Sequence, residues 1–487
     1  MTSAAPAYRF PAYDSLRIPA AAFEVLAYLT MVAVATVCFL AGWLTPNGAG
    51  AITAALLVWL VVLSWIHLDR GRHPCFLFLC TLTMFQGGRL VGYCLDAEPD
   101  PLRITVMTPN AFNLTREEQG ITLLCLALSA ICIYAPCRWN FHPTPPPDDR
   151  PVRRYLPYLY LLYFASLPVL LFKNYSYYQY VQQHGGYTFI FANHSALAAS
   201  IPFLVRMIPL VSFPTLLAIF VFERRKLALV LVTVLYFSTA SFILLLGSRV
   251  ATFSLVLALW YIARIKSTRG SRVLRLAVFG LLLLFAGYVV QIIREGDAEE
   301  VTSTFSPAKV FAVQGASLNV TEMAVKYKPL FSPYSVSYLW QELQNAFVAH
   351  DHSKYYRGRE LGFDVSVLLN ADMFSAGTGT GGSYVGEAYV IGGLAGVAIV
   401  SSLIGLGLRL CARWSGSALG LVVVAMVLPD FLVMPRGGLL DWISALARST
   451  ISVVLLWLGW QVFSLLTSIQ GGAARERLTV SATVGGI

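Results

Sequence analysis

The chain has 487 residues, of which 57% are hydrophobic and 12% are charged, and its formal net charge is +10. A soluble domain carries about 25% charged residues, so this composition, with a mean hydropathy of +0.66, excludes an ordinary soluble protein. It indicates a polytopic helical membrane protein.

Twelve apolar runs are long enough to cross a bilayer, because a spanning helix needs about 20 mostly apolar residues. They cover approximately residues 20–44, 49–68, 74–93, 118–136, 155–172, 200–222, 227–246, 250–263, 276–293, 383–408, 416–434 and 443–467. We therefore expect an all-α polytopic fold with four parts: an N-terminal bundle of about nine helices (1–293), a large outer loop (294–382), about three C-terminal helices (383–470) and a tail (471–487).

The Lys and Arg residues of the connections predict the orientation of the chain. One alternating set of connections, which includes both termini, carries most of these charges. The opposite short loops hold few, namely Arg103, Arg116, Lys173, Arg249 and Arg436. Cytoplasmic loops are the ones enriched in Lys and Arg, so both termini are predicted to be cytoplasmic. The basic surplus is then a topology signal, and no nucleic-acid partner is indicated.

The cysteines and histidines give no metal-binding pattern. The eight cysteines mostly fall in apolar runs or at their ends, and none forms a CxxC pair, so neither a disulfide framework nor a zinc site is predicted. In "AHDHSK", His350 and His352 are a possible metal pair, but neighbouring side chains point apart and no third ligand is evident. We predict no metal site.

Four arginines lie at or just beneath the predicted outer face, although they come from distant parts of the sequence: Arg249, Arg294, Arg436 and Arg448. An arginine at the bilayer centre costs about 3 kcal/mol on insertion scales, so Arg448, which lies inside the last span, should face protein or a wet cavity. Interfacial anchoring explains each of the others singly. A shared cavity that binds a diphosphate explains all four, because guanidinium groups bind phosphate bidentately. Arg89 and Arg206 are further embedded arginines whose surroundings the sequence does not indicate.

The stretch "TGTGGSYVGEAYVIGGLAGV" (378–397) places a glycine-rich turn before an apolar run that contains Glu387. The free N–H groups at a helix N-terminus favour an anion, and Thr378, Thr380 and Ser383 add hydroxyl donors. A carboxylate beside an anion site is better suited to act as a base than as a ligand, so Glu387 is the candidate base. The alternative is a flexible loop followed by a helix–helix contact through Gly392 and Gly396.

Two further outer stretches have a functional and a structural interpretation. Residues 173–194 are rich in Tyr and Phe, which is typical of an interfacial aromatic belt and also of sugar-stacking surfaces. The segment 348–363 groups His350, His352, Arg357 and Arg359. That patch is either solvated surface or a substrate clamp with an auxiliary base. Between them, Val336, Leu339, Trp340, Leu343 and Phe347 repeat at helical spacing and predict an amphipathic helix on the membrane face.

Four features between about residues 240 and 450 occur together: "GSR" (247–249) after an apolar span, the long outer loop, "GTGGSYVGEAYVIGGLAG" (379–396) and "PRGG" (435–438) in a late outer turn. This combination resembles the bacterial O-antigen polymerases, the Wzy-type polymerases of oligosaccharide repeat units. The resemblance implies a GT-C-like glycosyltransferase of the inner membrane with its active site on the periplasmic side. Its substrates would be repeat units on undecaprenyl diphosphate, joined without nucleotide sugar, metal or other cofactor. A chain-length regulator protein would be a further partner.

Carried over to this sequence, the resemblance implies roles for Arg249, Glu387 and Arg436. We expect Arg249, Arg294, Arg436 and Arg448 to hold the lipid diphosphate, with Arg357, Arg359, Thr380 and Ser383 as further substrate contacts. Glu387, or else His350 or His352, would accept the proton of the attacking hydroxyl. An O-antigen ligase is the alternative within the same class. A lipid-linked oligosaccharide flippase is the alternative from another class, although transporters place substrate residues near the midplane of the membrane.

Overall fold

The computed structural model describes residues 17–95, 102, 112–139, 147, 152–184, 189–190, 193–245, 249–267, 307–345 and 355–484. These residues form helices and turns and include no β-strand, so the all-α prediction is confirmed for them. The helices are α1 (Arg17–Leu40), α2 (Pro46–His67), α3 (Pro74–Phe85), α4 (Gly88–Cys94), α5 (Arg116–Arg138), α6 (Leu156–Gln183), α7 (His194–Ala199), α8 (Phe203–Arg206), α9 (Pro209–Phe222), α10 (Lys226–Leu245), α11 (Arg249–Lys266), α12 (Pro307–Gln314), α13 (Leu318–Lys326), α14 (Lys328–Phe331), α15 (Ser335–Asn345), α16 (Leu361–Ser375), α17 (Tyr384–Trp414), α18 (Ala418–Val433) and α19 (Asp441–Val484).

The polytopic membrane architecture is also confirmed. Among the described residues, nine helical segments are long and apolar enough to cross a membrane, and α3 with α4 makes a tenth if that bent pair is one span. These ten correspond to ten of the twelve predicted spans. The eighth predicted span is present as α11, but its 18 residues carry three basic side chains, which lowers its apolar character. The ninth, 276–293, lies outside the described residues.

Several helices begin where side chains cap their free N–H groups. Thr45 precedes Pro46 and accepts a hydrogen bond from the N–H of Gly48 at 3.0 Å. At the start of α5, Thr115 and Glu118 form a reciprocal capping box. Ser417 caps α18 by accepting the N–H of Gly420 at 3.0 Å. These local signals set the ends of the spans independently of tertiary packing.

The chain divides into two compact units. Unit 1 comprises Met1–Thr144, Ser306–Ser335 and Thr380–Arg413, and unit 2 comprises Pro145–Phe305, Val336–Gly379 and Trp414–Ile487. The described part of the predicted outer loop therefore does not form a unit of its own. Its first half packs in unit 1, where every residue of α13 from Leu318 to Val325 is buried.

In unit 1, α1, α2 and α5 pack together, and α3 and α4 are bent by 70° at the break between them. Helix α4 lies very close to α12. A Cβ at Gly88 would clash with the carbonyl oxygen of Phe311, and one at Gly92 would lie 2.9 Å from that of Ala308. The third predicted span is thus a broken helix, and its second part, α4, packs against α12 of the predicted outer loop.

In unit 2, α9 packs on α6, α11, α18 and α19, and α11 packs on α18. Helix α6 runs from Leu156 to Gln183, eleven residues beyond the predicted end of its span at 172. The first half of the predicted aromatic loop 173–194 is therefore helical. The side chain of Asn174 donates to the carbonyl oxygen of Thr239 on α10 at 2.9 Å and holds α6 against this neighbour.

The amphipathic helix is confirmed as α15: Val336 and Trp340 are exposed, whereas Tyr338 and Glu342 are buried.

Candidate functional site

Glu387 lies in the first turn of α17, directly after the glycine-rich turn, as the sequence predicted. Ser383 caps this helix, because its hydroxyl oxygen accepts the N–H of Gly386 at 3.1 Å. The side chain of Glu387 is only 1% exposed, and the residues from Tyr384 to Val390 are all buried. The acid therefore lies inside unit 1.

Helix α17 is broken at Gly392 and Gly393, which adopt φ/ψ of −140°/16° and 61°/−146°. A Cβ at Gly396 would clash with the carbonyl oxygen of Ala388, eight residues earlier. Residues eight apart in a continuous helix are separated by about 12 Å along the axis, so the chain must fold back sharply at the break. Glu387 is thus carried by a short helix, 384–391, that lies against the longer span that follows it.

This break corrects the prediction of a helix–helix contact through Gly392 and Gly396. A Cβ at Gly392 would meet no heavy atom within 4 Å, and Gly396 faces its own chain rather than another span. The small residues are needed because the backbone reverses here. Gly393 lies in the left-handed region, which glycine adopts without strain.

A buried polar network holds the start of the short helix. Gln86 donates to the hydroxyl oxygen of Ser383 at 3.0 Å, and Thr321 bonds to both Gln86 and Ser383 at 3.0 and 2.8 Å. Gly386 packs closely on the backbone of Val320 and Thr321. Ser383, which the sequence predicted as a substrate contact, is fully buried in these protein contacts. Thr380 is likewise buried, and its hydroxyl donates to the carbonyl oxygen of Gly381 at 3.1 Å.

The structure shows what surrounds the embedded Arg89. Its guanidinium donates to Asn319 at 2.6 Å and to Glu322 at 3.3 Å, and the side chains of Arg89 and Glu322 are 3% and 0% exposed. This ion pair joins α4 to α13 in the interior of unit 1. Arg206, by contrast, lies 5.7 Å from the ring centroid of Phe203 and is half-buried.

Arg249 and Arg436 lie at the same end of unit 2. Helices α11 and α18 pack together, and the hydroxyl of Tyr261, late in α11, lies 2.9 Å from that of Ser415, just before α18. The two helices are therefore antiparallel. Arg249, the first residue of α11, lies toward the end of α18 that leads into the turn carrying Arg436.

The "PRGG" turn is tied to α15 by carboxylates. Glu342 accepts the N–H of Leu440 at 2.7 Å, and Asp441 accepts that of Gly438 at 2.7 Å. A Cβ at Gly438 would clash with the carboxylate of Glu342. The second glycine of the motif is therefore required by the close approach of an acid, and Arg436 is carried by a turn that this acid fixes.

The loop before α16, residues 355–360, lies close to the carboxylates of Glu342 and Asp441. Burial raises the pKa of Glu360 well above its usual value, and the carboxylates of Asp441 and Glu342 raise it further, while Arg359 opposes them. Arg359 is buried and lies 5.8 Å from the ring centroid of Phe363, whereas Arg357 is exposed.

The buried carboxylate of Asp364 holds this loop against α15. It accepts hydrogen bonds from Tyr338 of α15 at 2.7 Å and from Tyr355 of the loop at 3.0 Å.

Arg448 forms an ion pair with Asp430 of α18 at 3.4 Å and donates to Ser444 on its own helix. The two charged side chains are 55% and 39% exposed. The sequence predicted that Arg448 would face protein or a wet cavity. The structure gives it a carboxylate partner on the neighbouring helix instead of complete enclosure.

The structure therefore places Arg249, Arg436, Arg448 and Arg359 toward one end of unit 2, and it embeds Glu387 in unit 1. Arg294, His350 and His352 lie outside the described residues. The diphosphate-binding role of the arginines, the base role of Glu387 and the alternative role of the histidines stay predictions.

One group of side chains in the described ranges has the composition of a metal site. Ligand atoms of His73, Cys75 and Cys137 lie within 4.8 Å of one another, and all three residues are buried. His73, however, caps α3 by accepting the N–H of Cys75, and the thiol of Cys137 donates to the carbonyl oxygen of Gly405 at 3.2 Å. Burial and the nearby charge of Arg409 lower the pKa of His73 to about 3. The group already serves the fold, and a cation beside it opposes metal binding.

Three charged residues with structural contacts are not singled out by the sequence analysis. Glu322, Lys328 and Glu342 all lie within the predicted outer loop 294–382. The signal that could have found the first two is the apolar density of "LNVTEMAVKYKPLF" (318–331) around its few charges, which is typical of a buried segment.

The family model described as O-antigen polysaccharide polymerase Wzy matches residues 27–465. Comparison with curated proteins and with solved structures gives no match. The matched range runs from α1 into α19 and includes every predicted motif. The resemblance seen in the sequence is thereby confirmed, and the chain belongs to the family of O-antigen polysaccharide polymerases, Wzy.

Proposed function

We propose that this membrane polymerase joins oligosaccharide repeat units carried on undecaprenyl diphosphate, at the periplasmic face of the inner membrane, to make O-antigen or a related surface polysaccharide. The observation that carries the proposal is the family match over residues 27–465. Neither nucleotide sugar nor metal is required in this scheme, because the lipid diphosphate of the donor is itself the leaving group.

The charge distribution of unit 2 supports the periplasmic side. Lys266 donates to the carbonyl oxygens of Phe220 and Glu223, so the ends of α9 and α11 lie together at one end of the unit. That end also carries Arg224, Arg225, Lys226 and Arg264. An end rich in basic residues is cytoplasmic by the positive-inside rule. The opposite end, with Arg249 and Arg436, would then face the periplasm, and both termini would be cytoplasmic.

In the proposed reaction, the hydroxyl oxygen of the acceptor sugar attacks the anomeric carbon of the donor sugar. The new carbon–oxygen bond forms as the bond from that carbon to the diphosphate breaks, and the bonding electron pair leaves with the lipid diphosphate. The hydroxyl proton passes to a base. Guanidinium groups stabilise the negative charge that develops on the leaving group, and such preorganised donors are worth roughly 10²- to 10³-fold in rate each.

Arg249, Arg436 and Arg448 are the proposed diphosphate ligands, with Arg294 as a fourth and with Arg357 and Arg359 as contacts to the substrate. Glu342 and Asp441 hold the turn that carries Arg436, so they position this arginine and do not themselves need to touch the substrate. Glu387 is the proposed base, with His350 or His352 as the alternative. Because Glu387 is buried, it would receive the proton inside the protein and not through bulk water.

The test is reconstitution of the purified protein in vesicles that contain lipid-linked repeat units and no other protein. Polymer of many lengths is the expected product. Transfer of the sugar only to an added lipid A core would show a ligase, and passage across the bilayer without polymer would show a flippase.

Two variants test the assigned residues. Arg249→Ala should remain in the membrane and leave only single repeat units, with a rate lower by about 10²-fold or more. Glu387→Gln should abolish polymerisation while keeping substrate binding. Normal polymer lengths from either variant would contradict the role given to that residue.

A further inference from the structure

A lysine side chain lies at the break in α17, against the aromatic ring of Tyr389. Lys328 is the first residue of α14, and its ammonium nitrogen lies 4.9 Å from the ring centroid of Tyr389 on the short helix. It is also 3.2 Å from the position that a Cβ would take at Gly393. Among the described residues, the ammonium group of Lys328 makes neither a hydrogen bond nor an ion pair, although it interacts electrostatically with Cys125 of α5. Glu117 interacts electrostatically with Tyr389 but does not pair with Lys328.

The backbone break beside this lysine is not filled by the described residues. A Cβ at Gly392, next to the glycine that Lys328 contacts, would meet no heavy atom of theirs within 4 Å, although Tyr389 and Val390 are buried. The hydroxyl of Ser332 donates to the carbonyl oxygen of Val390 at 3.4 Å on the short helix. An ammonium group against an aromatic face at such a break can bind an anion that enters beside Gly392.

Lys328 lies near the end of unit 1 where α5 begins. Lys326, two residues earlier, donates to the carbonyl oxygen of Asn113, which lies just before the cap Thr115. The opposite end of α5 carries Arg138, which pairs with Glu24 of α1 at 3.7 Å. The predicted topology assigns the start of α5 to the outer face and its end to the cytoplasm. Lys328 is therefore on the outer side in the same topology that the proposed function uses.

Polymerisation joins two lipid-linked oligosaccharides, so each turnover needs two lipid diphosphates bound at once. The arginines of unit 2 provide positive charge for one of them. We propose that Lys328, against Tyr389 and at the backbone break of Gly392 and Gly393, binds the diphosphate of the second lipid-linked substrate. This inference rests on the proposed function, and it adds a binding residue in unit 1 that no motif of the sequence indicates.

A lysine is well suited to bind the diphosphate of the second substrate. An ammonium on a flexible stem binds phosphate as a point charge, whereas an arginine fork would demand a fixed bidentate geometry. Gly393 is also explained, since a side chain there would crowd the ammonium group as well as strain the backbone. An anionic phospholipid headgroup offers the same phosphate chemistry, so the experiment must separate the two sources.

Binding is measured with the purified full-length protein in neutral detergent and with farnesyl diphosphate, a soluble polyprenyl diphosphate, as the probe. An Arg249→Ala/Arg436→Ala background weakens the arginine end, so the remaining affinity reports the site in unit 1. Adding Lys328→Ala should lower that affinity about 10-fold or more, the value of a lost charge-assisted contact to phosphate. Lys328→Arg should stay within about threefold, because the charge is kept.

Lys326→Ala is the matched control. It removes the same type of charge two residues away, but its ammonium is already engaged by the carbonyl of Asn113, so the affinity for farnesyl diphosphate should not change. If Lys328→Ala binds within twofold of its parent, or if Lys326→Ala loses as much affinity as Lys328→Ala, the proposal is overturned. Displacement of the probe by an equal concentration of phosphatidylglycerol would also overturn it, because the site would then take any anionic headgroup.

The polymerisation assay distinguishes failure of this inference from failure of the proposed function. Lys328→Ala in an otherwise unchanged chain should raise the apparent KM for lipid-linked repeat units about 10-fold and leave kcat nearly unchanged. An unchanged KM in an active enzyme would refute the lysine alone. A wild-type protein that binds the probe through Lys328 yet makes no polymer would refute the proposed function and keep the diphosphate site.

Discussion

At the residue scale, the buried ion pair of Arg89 and Glu322 joins α4 to α13 inside unit 1. Two buried charges gain little over a well-packed apolar pair, but removing only one of them leaves the other unpaired in a low-dielectric interior. Asn319 shares the guanidinium, so the arginine has two partners on α13. The pair is a constraint on which helices meet more than a source of net stability.

We predict that Arg89→Ala and Glu322→Ala each lower the free energy of unfolding by about 3–5 kcal/mol, because each leaves one buried charge without its partner. The double variant Arg89→Met/Glu322→Leu should lose less than either single variant. Unfolding of the purified protein in detergent gives the comparison. The less buried pair of Arg448 and Asp430 is the comparison, and Asp430→Ala should cost less than either single variant of the buried pair. Equal losses at the two pairs would contradict the account.

Glu360 gives a prediction for pH dependence. Burial and the carboxylates of Asp441 and Glu342 raise its pKa in the folded protein, so the folded state holds this proton to a higher pH than the unfolded chain does. The resulting stability is present in full below the pKa of the unfolded chain and is lost as the pH rises through the folded pKa. Above that pKa, the ionised group repels its two neighbours.

Glu360→Gln should therefore raise the thermal midpoint at pH 8 and lose this advantage as the pH falls to 4.5 and below, where the wild-type carboxyl becomes protonated in the unfolded chain as well. Thermal unfolding in detergent across this range is the measurement. Two curves that stay parallel from pH 8 to 4.5 would show that the carboxylates of Asp441 and Glu342 do not act on Glu360.

At the element scale, α17 is the helix that its sequence describes least well. An apolar run of this length reads as one span, and the pair Gly392–Gly393 inside it fits either a packing contact or a break. The structure resolves the choice because Gly393 takes a positive φ and Gly396 meets the carbonyl oxygen of Ala388. The short helix with Glu387 then rests on α13, which hydropathy had assigned to a loop.

The two glycines of the break provide a matched pair of variants. Gly393→Ala should destabilise the protein by about 1–2 kcal/mol, since an L-residue is strained at φ 61° and its Cβ would crowd Lys328. Gly392→Ala should be nearly neutral, because its φ is negative and nothing lies near its Cβ. Thermal midpoints in detergent measure both. A larger loss at Gly392 than at Gly393 would mean that the chain does not reverse in this way.

Helix α15, unlike α17, was predicted correctly as an element, but the contact made by its buried side was not. Its apolar side, with Val336 and Trp340, is exposed, and its polar side, with Tyr338 and Glu342, is buried. In a membrane protein the apolar side can face lipid, so the rule that places polar residues outward is inverted. The amphipathic pattern was read correctly as a helix, while the role of Glu342 in holding the "PRGG" turn required the neighbouring chain.

At the scale of the whole molecule, the proposed sidedness can be checked directly. Lys226 is exposed at the basic end of unit 2, and Tyr356 is exposed in the loop that carries Arg357 and Arg359. In a background with Cys94→Ser, an impermeant thiol reagent added to intact cells should label Tyr356→Cys and spare Lys226→Cys. Opening the cells should make both accessible. Labelling of Lys226→Cys in intact cells would reverse the orientation and move the arginine end to the cytoplasm.

Only part of the candidate site could be predicted from the sequence, because contacts between separate helices are not visible in it. The arginines were found because a charge in an apolar sequence is conspicuous wherever it folds. Their partners were not found, because Asp430, Glu342 and Asp441 become partners only when separate helices meet. Lys328 was not singled out for the same reason.

The sequence by itself determined the membrane class, the course of most spans and the family. Hydropathy and capping are local properties: about 20 apolar residues suffice for a span, and Thr115 with Glu118 suffices for a helix start. Only the tertiary structure decided which polar groups meet. Arg89 and Asn319, for example, are 230 positions apart, and no local pattern links them. Pairing of buried charges depends on which helices pack, and packing is a property of the whole fold.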